Sequence, residues 1–106
     1  MVGQITVTEL ARRLPTPDAP LVVDVREPWE IEIARLPGTM NIPMSEIPQR
    51  LAELPRDREI AVLCHVGGRS LRVAGFLAAQ GFNTVVNVAG GIHAWSVEVD
   101  PGVPVY

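Results

Sequence analysis

Three short apolar runs constrain this chain more than any other feature in it: Leu21-Val22-Val23-Asp24-Val25, Ile60-Ala61-Val62-Leu63 and Thr84-Val85-Val86-Asn87-Val88. Each is too short for a core helix and too unbroken for a strand with one wetted face, so each reads as a strand covered on both sides. Helical patterns lie between them. Val7, Leu10, Ala11 and Leu14 share one face behind Thr6 and Glu9, which have the spacing of a capping box. Val73, Ala74, Leu77 and Ala78 form a second apolar face, in a helix predicted over Arg69–Gln80 and closed by Gly81 with Phe82 folding back on the last turn. Strands that alternate with helices at this spacing predict an α/β fold: a single open, mainly parallel sheet of about five strands with helices on both faces, over residues 1–106.

The weaker elements fill in around that frame. Ile5 closes a short first strand, Pro28 opens a short helix running toward Ala34, and Met40-Asn41-Ile42 is a further strand ended by Pro43. Ile47, Leu51 and Leu54 give a helical face, with Pro48 near its start and Pro55 past its end. A short helix is expected from Ile92 to Ser96, followed by a turn and an extended tail from Asp100. Right-handed crossovers place Asp24, Cys64 and Val88 at the carboxyl rim of the sheet, where such folds bind ligands.

Composition narrows the function. A chain of 106 residues buries roughly two-thirds of its unfolded surface, so it needs no metal or disulfide to fold. Its one cysteine has no internal partner and suits a reducing, cytoplasmic setting. A net charge of -3 supplies no basic stripe for nucleic acid or an anionic membrane. No apolar stretch approaches the roughly 20 residues that span a bilayer, and the start, Met1-Val2-Gly3-Gln4-Ile5, lacks a leader's charged and apolar regions.

The chemistry points to the segment after the middle strand, Cys64-His65-Val66-Gly67-Gly68-Arg69-Ser70. It carries the cysteine from a strand end through a glycine turn into a helix. The first amides of a helix lack partners within it, and the helix dipole makes that end partly positive, so a thiolate or oxyanion is stabilised there. Arg69 opposes the dipole at its position, which calls for a compensating reason; binding of an anion in the loop supplies one, with Asp24 or Glu27 as structural partners in the other reading.

With the Asp24-Val25-Arg26-Glu27 segment, the block Ala34-Arg35-Leu36-Pro37-Gly38-Thr39-Met40-Asn41-Ile42-Pro43 and the closing Gly90-Gly91-Ile92-His93-Ala94-Trp95 added to this loop, the chain resembles the rhodanese family of sulfurtransferases in its single-domain form. It departs from the family pattern at Ala34 and Arg35, where the family has Gly and His. The resemblance implies sulfur transfer through a persulfide on Cys64, with His65, Val66, Gly67, Gly68, Arg69 and Ser70 around the substrate and Asp24 and Arg26 bracing the rim. It implies no cofactor. The partners expected are a small anionic sulfur donor, such as thiosulfate or a persulfide, and a thiol or other thiophilic acceptor, a sulfur-carrier protein among the candidates.

Each of these residues also has a plain reading. A lone cysteine at the end of a buried strand is ordinarily a small core hydrophobe, and only its neighbours argue otherwise. Ser70 fits a helix cap, and His65 acts either through its side chain at the pocket mouth or only through its backbone amide. Trp95 and Phe82 read as core, and Gly90-Gly91 as a tight turn rather than a phosphate site. His65, His93 and one cysteine have no zinc-site spacing. Two other functions compete with sulfur transfer. A cysteine-based phosphatase or arsenate reductase shares the loop chemistry, but its signature has five residues between Cys and Arg, whereas here only His65, Val66, Gly67 and Gly68 intervene. A catalytically silent binding or regulatory module is the other; such modules often lack the cysteine. A redox-sensing thiol would need a second cysteine to resolve it within the chain.

Overall fold

The computed structural model describes residues 2–106, so Met1, the first residue of the stretch read for a leader, lies outside them. In chain order the elements are β1 (Gly3–Ile5), α1 (Val7–Arg13), β2 (Leu21–Asp24), α2 (Pro28–Ile33), β3 (Met40–Asn41), a 3₁₀ segment (Met44–Glu53), β4 (Ile60–Leu63), α3 (Gly68–Ala79), β5 (Val85–Val88) and α4 (Gly91–Glu98). The five strands run β1-β5-β4-β2-β3, and every pair is parallel. The mainly parallel sheet expected from the sequence is therefore wholly parallel. In its register Asp24 lies beside Leu63 and Ile5 beside Val88, so the strand ends share one rim.

Alternation along the strands divides the core in two. Val23, Ile60, Val62, Cys64 and Val85 pack with Val73, Ala74 and Leu77 of α3 and with Ile47 of the 3₁₀ segment. On the opposite face Val22, Ala61, Leu63 and Val88 pack with Val7 and Leu10 of α1 and with Ile92 and Trp95 of α4. Such a double burial explains why the central strands read as continuous apolar runs. Phe82 is buried as expected, its amide bonded to the Leu77 carbonyl at 3.1 Å in the turn that closes α3.

Local details depart from expectation where a competing interaction is stronger. Thr6 accepts the Glu9 amide at 3.1 Å, but the reciprocal half of the capping box is absent because the Glu9 carboxylate pairs with Arg12, one turn on. A charge-assisted bond outcompetes a backbone amide. Ile47 and Leu51 are carried by 3₁₀ turns rather than an α-helix, with Arg50 non-helical at φ -118° and ψ 19°, and Leu54 follows them in an extended conformation. Pro48 has no N–H to donate four residues back, and its ring crowds that carbonyl. The helix opened by Pro28 stops at Ile33, and Ala34 is extended, with φ -156° and ψ 138°. Alanine adopts that conformation freely, so the family's glycine is not needed there.

Candidate active site

Cys64 stands one residue beyond β4, on the α3 side of the sheet. By burial alone it is a core residue, only 1% exposed. Its neighbours set it apart from one. The Gly67 amide donates to Sγ at 3.1 Å, and Ser70 Oγ lies 3.2 Å from Sγ. Ser70 is buried because it opens the inward face of α3, three and four residues before Val73 and Ala74. Its hydroxyl hydrogen-bonds Asn87 Oδ1 in β5, and Asn87 Nδ2 donates to Gln4 Oε1 of β1 at 2.9 Å. A polar chain thus links the sulfur to two strands. In the thiol form Cys64 donates to Ser70; in the thiolate form the Ser70 hydroxyl can turn, so that Sγ accepts from both Gly67 and Ser70.

Two glycines are required by the loop's geometry. Gly67 has φ +107° where the chain turns into α3, and a Cβ there would lie 3.3 Å from the Gly90 amide nitrogen. At Gly91, with φ +60°, a Cβ would come within 2.5 Å of the carbonyl oxygens of both Cys64 and His65. The close approach has a purpose: the Ile92 and His93 amides donate to those carbonyls at 2.9 and 3.0 Å. The start of α4 therefore fixes the cysteine loop, which gives Gly90-Gly91 a structural role beyond the tight turn read from sequence. Gly68, Arg69 and Ser70 open α3, and their amides have no acceptor within that helix. Val66 is 60% exposed.

Arg69 departs from its sequence reading. Neither Asp24 nor Glu27 is its partner; its guanidinium forks onto Glu30 of α2, with N–O distances of 2.7 and 2.8 Å. Glu30 is 2% exposed and also accepts the Glu27 amide at 3.0 Å and the Tyr106 hydroxyl at 2.8 Å. Arg69 holds the Glu30 carboxyl down at about 2, against the opposing effect of burial. The same pairing raises the Arg69 pKa. Both of its terminal nitrogens are engaged by a carboxylate, so its charge is matched within the protein.

Asp24 and Arg26 are both fully buried and form a bidentate pair with contacts of 2.7 to 3.1 Å. Arg26 also donates to the Ala34 carbonyl at 2.8 Å and to the Tyr106 hydroxyl oxygen at 2.9 Å. Burial works against the guanidinium's charge, but the bonds to Asp24 and Tyr106 outweigh it and leave the pKa raised. These residues brace the rim. Tyr106 itself, its pKa raised by burial, stacks on His65 with centroids 3.9 Å apart and planes at 6°. His65 Nε2 is buried and has no hydrogen-bond partner among the described residues. The sequence reading omitted Glu30, Asn87, Gln4 and Tyr106. Glu30 and Asn87 had signals: a Glu27-x-x-Glu30 spacing at a helix start, and one amide inside an apolar strand.

An all-parallel sheet that delivers a cysteine loop to the start of a helix is a geometry shared with known proteins, and residues 6–98 match the family model of the rhodanese-like domain. The chain belongs to the rhodanese-like family. A rhodanese-related protein of Thermoplasma volcanium is 36% identical, with a TM-score of 0.86 over 98% of this chain and 99% of that one. A sulfurtransferase of Allochromatium vinosum is 38% identical over 96 residues, 91% of this chain and 90% of the relative. A chloroplastic protein of Arabidopsis thaliana, named for rhodanese-like and PpiC domains, is 44% identical over 112 residues, but this rhodanese-like chain spans only 38% of its length. No helix among the described residues is long and apolar enough to cross a membrane.

Proposed function

We propose that residues 1–106 act as one rhodanese-like domain that transfers sulfane sulfur through a persulfide on Cys64, in a reducing, cytoplasmic setting. The observation that carries this reading is the cysteine's position at the helix start, with the Gly67 amide 3.1 Å and the Ser70 hydroxyl 3.2 Å from Sγ. The Cys64 thiolate attacks the outer sulfur of the donor. A new S–S bond forms to Cys64 while the donor's own S–S bond breaks, and its electron pair leaves on sulfite when the donor is thiosulfate, or on a thiolate when it is a persulfide. In the second half-reaction a thiol or cyanide attacks the outer sulfur of the persulfide and regenerates the Cys64 thiolate. Amides at the start of α3 stabilise the terminal sulfur's negative charge, and the resemblance assigns His65, Val66, Gly67, Gly68, Arg69 and Ser70 to the same pocket. Relatives that carry the name sulfurtransferase favour this reading over a silent module.

The test is direct. Reduced protein is incubated with thiosulfate and, separately, with benzenethiosulfonate, then weighed intact by mass spectrometry. The expected result is a gain of one sulfur atom, absent in Cys64→Ser and discharged by cyanide, with parallel initial-velocity lines in steady-state assays. No gain from either donor, with Cys64 still open to alkylation, would overturn the proposal.

A further inference from the structure

The cysteine loop contains a single arginine, and its charge is cancelled within the protein. Arg69 meets Glu30 through two charged hydrogen bonds, and Glu30 is fixed from two other directions by the Glu27 amide and the Tyr106 hydroxyl. The second arginine at the rim, Arg26, is fully buried against Asp24. Both pairs sum to zero charge. The next cation along α3, Arg72, sits one turn beyond Arg69 and lines a separate apolar cavity of about 200 Å³ with Met44, Ile47, Pro48, Val73 and Phe76. At Sγ itself the groups that can receive a donor are the Gly67 amide, the amides that open α3 and the Ser70 hydroxyl, none of which carries a full charge. Partial charges of this kind hold one negative charge well, but they offer a second charge no full counter-ion.

Building on the sulfur-transfer reading, we infer that Glu30 determines the donor class: by occupying Arg69 it biases Cys64 toward donors whose reacting group carries a single negative charge, organic persulfides and thiosulfonates, and against dianionic thiosulfate. Glu30 touches no reacting atom and acts through Arg69, so it is a positioning residue. The effect scales with donor charge, because a unit change in local charge acts twice on a dianion and once on a monoanion.

Thiosulfate and benzenethiosulfonate form the test pair, since both deliver an outer sulfur and differ by one charge. The readout is the ratio of kcat/KM for the two donors, which is insensitive to the fraction of protein that is folded. Glu30→Gln leaves Arg69 without a counter-charge and is expected to shift the ratio toward thiosulfate by on the order of fivefold, less at high salt. The double variant Glu30→Gln/Arg69→Gln returns the pair to zero charge and is expected to restore the wild-type ratio, which simple loosening of the loop would not do. A ratio unmoved by Glu30→Gln, or moved equally in the double variant, overturns this inference while leaving sulfur transfer intact. Absence of sulfur loading from either donor in the wild type overturns both.

Discussion

Replacing Gly91 with alanine tests the claim that α4 fixes the cysteine loop. The new Cβ would sit 2.5 Å from the carbonyl oxygens of Cys64 and His65, and both are backbone atoms, which cannot rotate away. Relief requires loop and helix to part by roughly 1 Å, and overpacking of this kind costs about 1–3 kcal/mol. Parting them weakens the Ile92 and His93 amide bonds, now 2.9 and 3.0 Å, each contributing about 1 kcal/mol. A positive φ at alanine adds about 1 kcal/mol more. The expected loss is about 3–5 kcal/mol, a large share of the roughly 5–15 kcal/mol by which domains are stable. Equilibrium urea denaturation reads this as a fall in midpoint at constant slope, and sulfur loading of Cys64 should fall under conditions where the variant remains folded. Gly75→Ala is the matched control: an ideal Cβ there has no neighbour within 4 Å, so it should stabilise the exposed surface of α3 by about 0.5–1 kcal/mol. A loss below about 1 kcal/mol at Gly91, with loading unchanged, would refute the reasoning.

Acid should expose the Glu30 network. Its folded pKa, about 2, lies below the unfolded value near 4.3, so its stabilisation is complete above the unfolded value and is lost as pH falls through 2. Arg69 is 35% exposed, which trims the contribution to about 2 kcal/mol; unfolding free energies from pH 6 to pH 2 should show that limb in the wild type and a flatter one in Glu30→Gln. Ser70→Ala removes the hydroxyl between Sγ and Asn87 Oδ1, and is expected to slow sulfur loading by about tenfold and destabilise by about 1–3 kcal/mol, read by stopped-flow kinetics and urea melts. Tyr106→Phe keeps the ring over His65 but deletes the hydroxyl shared by Arg26 and Glu30, so a thermal melt should show a loss of about 1–2 kcal/mol.

What the sequence made legible was what depends on period and adjacency. Strands covered on both faces leave unbroken apolar runs, and a cysteine placed between such a run and a glycine turn announces the rim of the sheet. The pairing of Arg69 was illegible for the opposite reason. Its partner, Glu30, comes from a helix on the far side of two crossovers, and nothing in helical spacing says which carboxylate a long side chain will reach. Tyr106 was hidden similarly, since its neighbour His65 lies far away along the chain. The 3₁₀ geometry of Met44–Glu53 was legible in part: Pro48 was visible, but its effect was read as a helix start rather than as a break in the hydrogen-bond ladder.

The buried pair of Asp24 and Arg26 has an evolutionary consequence. Either residue changed alone leaves the other as an unmatched charge in the interior, a penalty of about 3–5 kcal/mol, whereas replacing both with well-packed apolar residues is often harmless. A one-residue-at-a-time route to an apolar rim therefore crosses an intermediate that has given up a large share of a domain's usual stability. The two positions are therefore expected to change together, because their halves cannot be exchanged one at a time without that penalty.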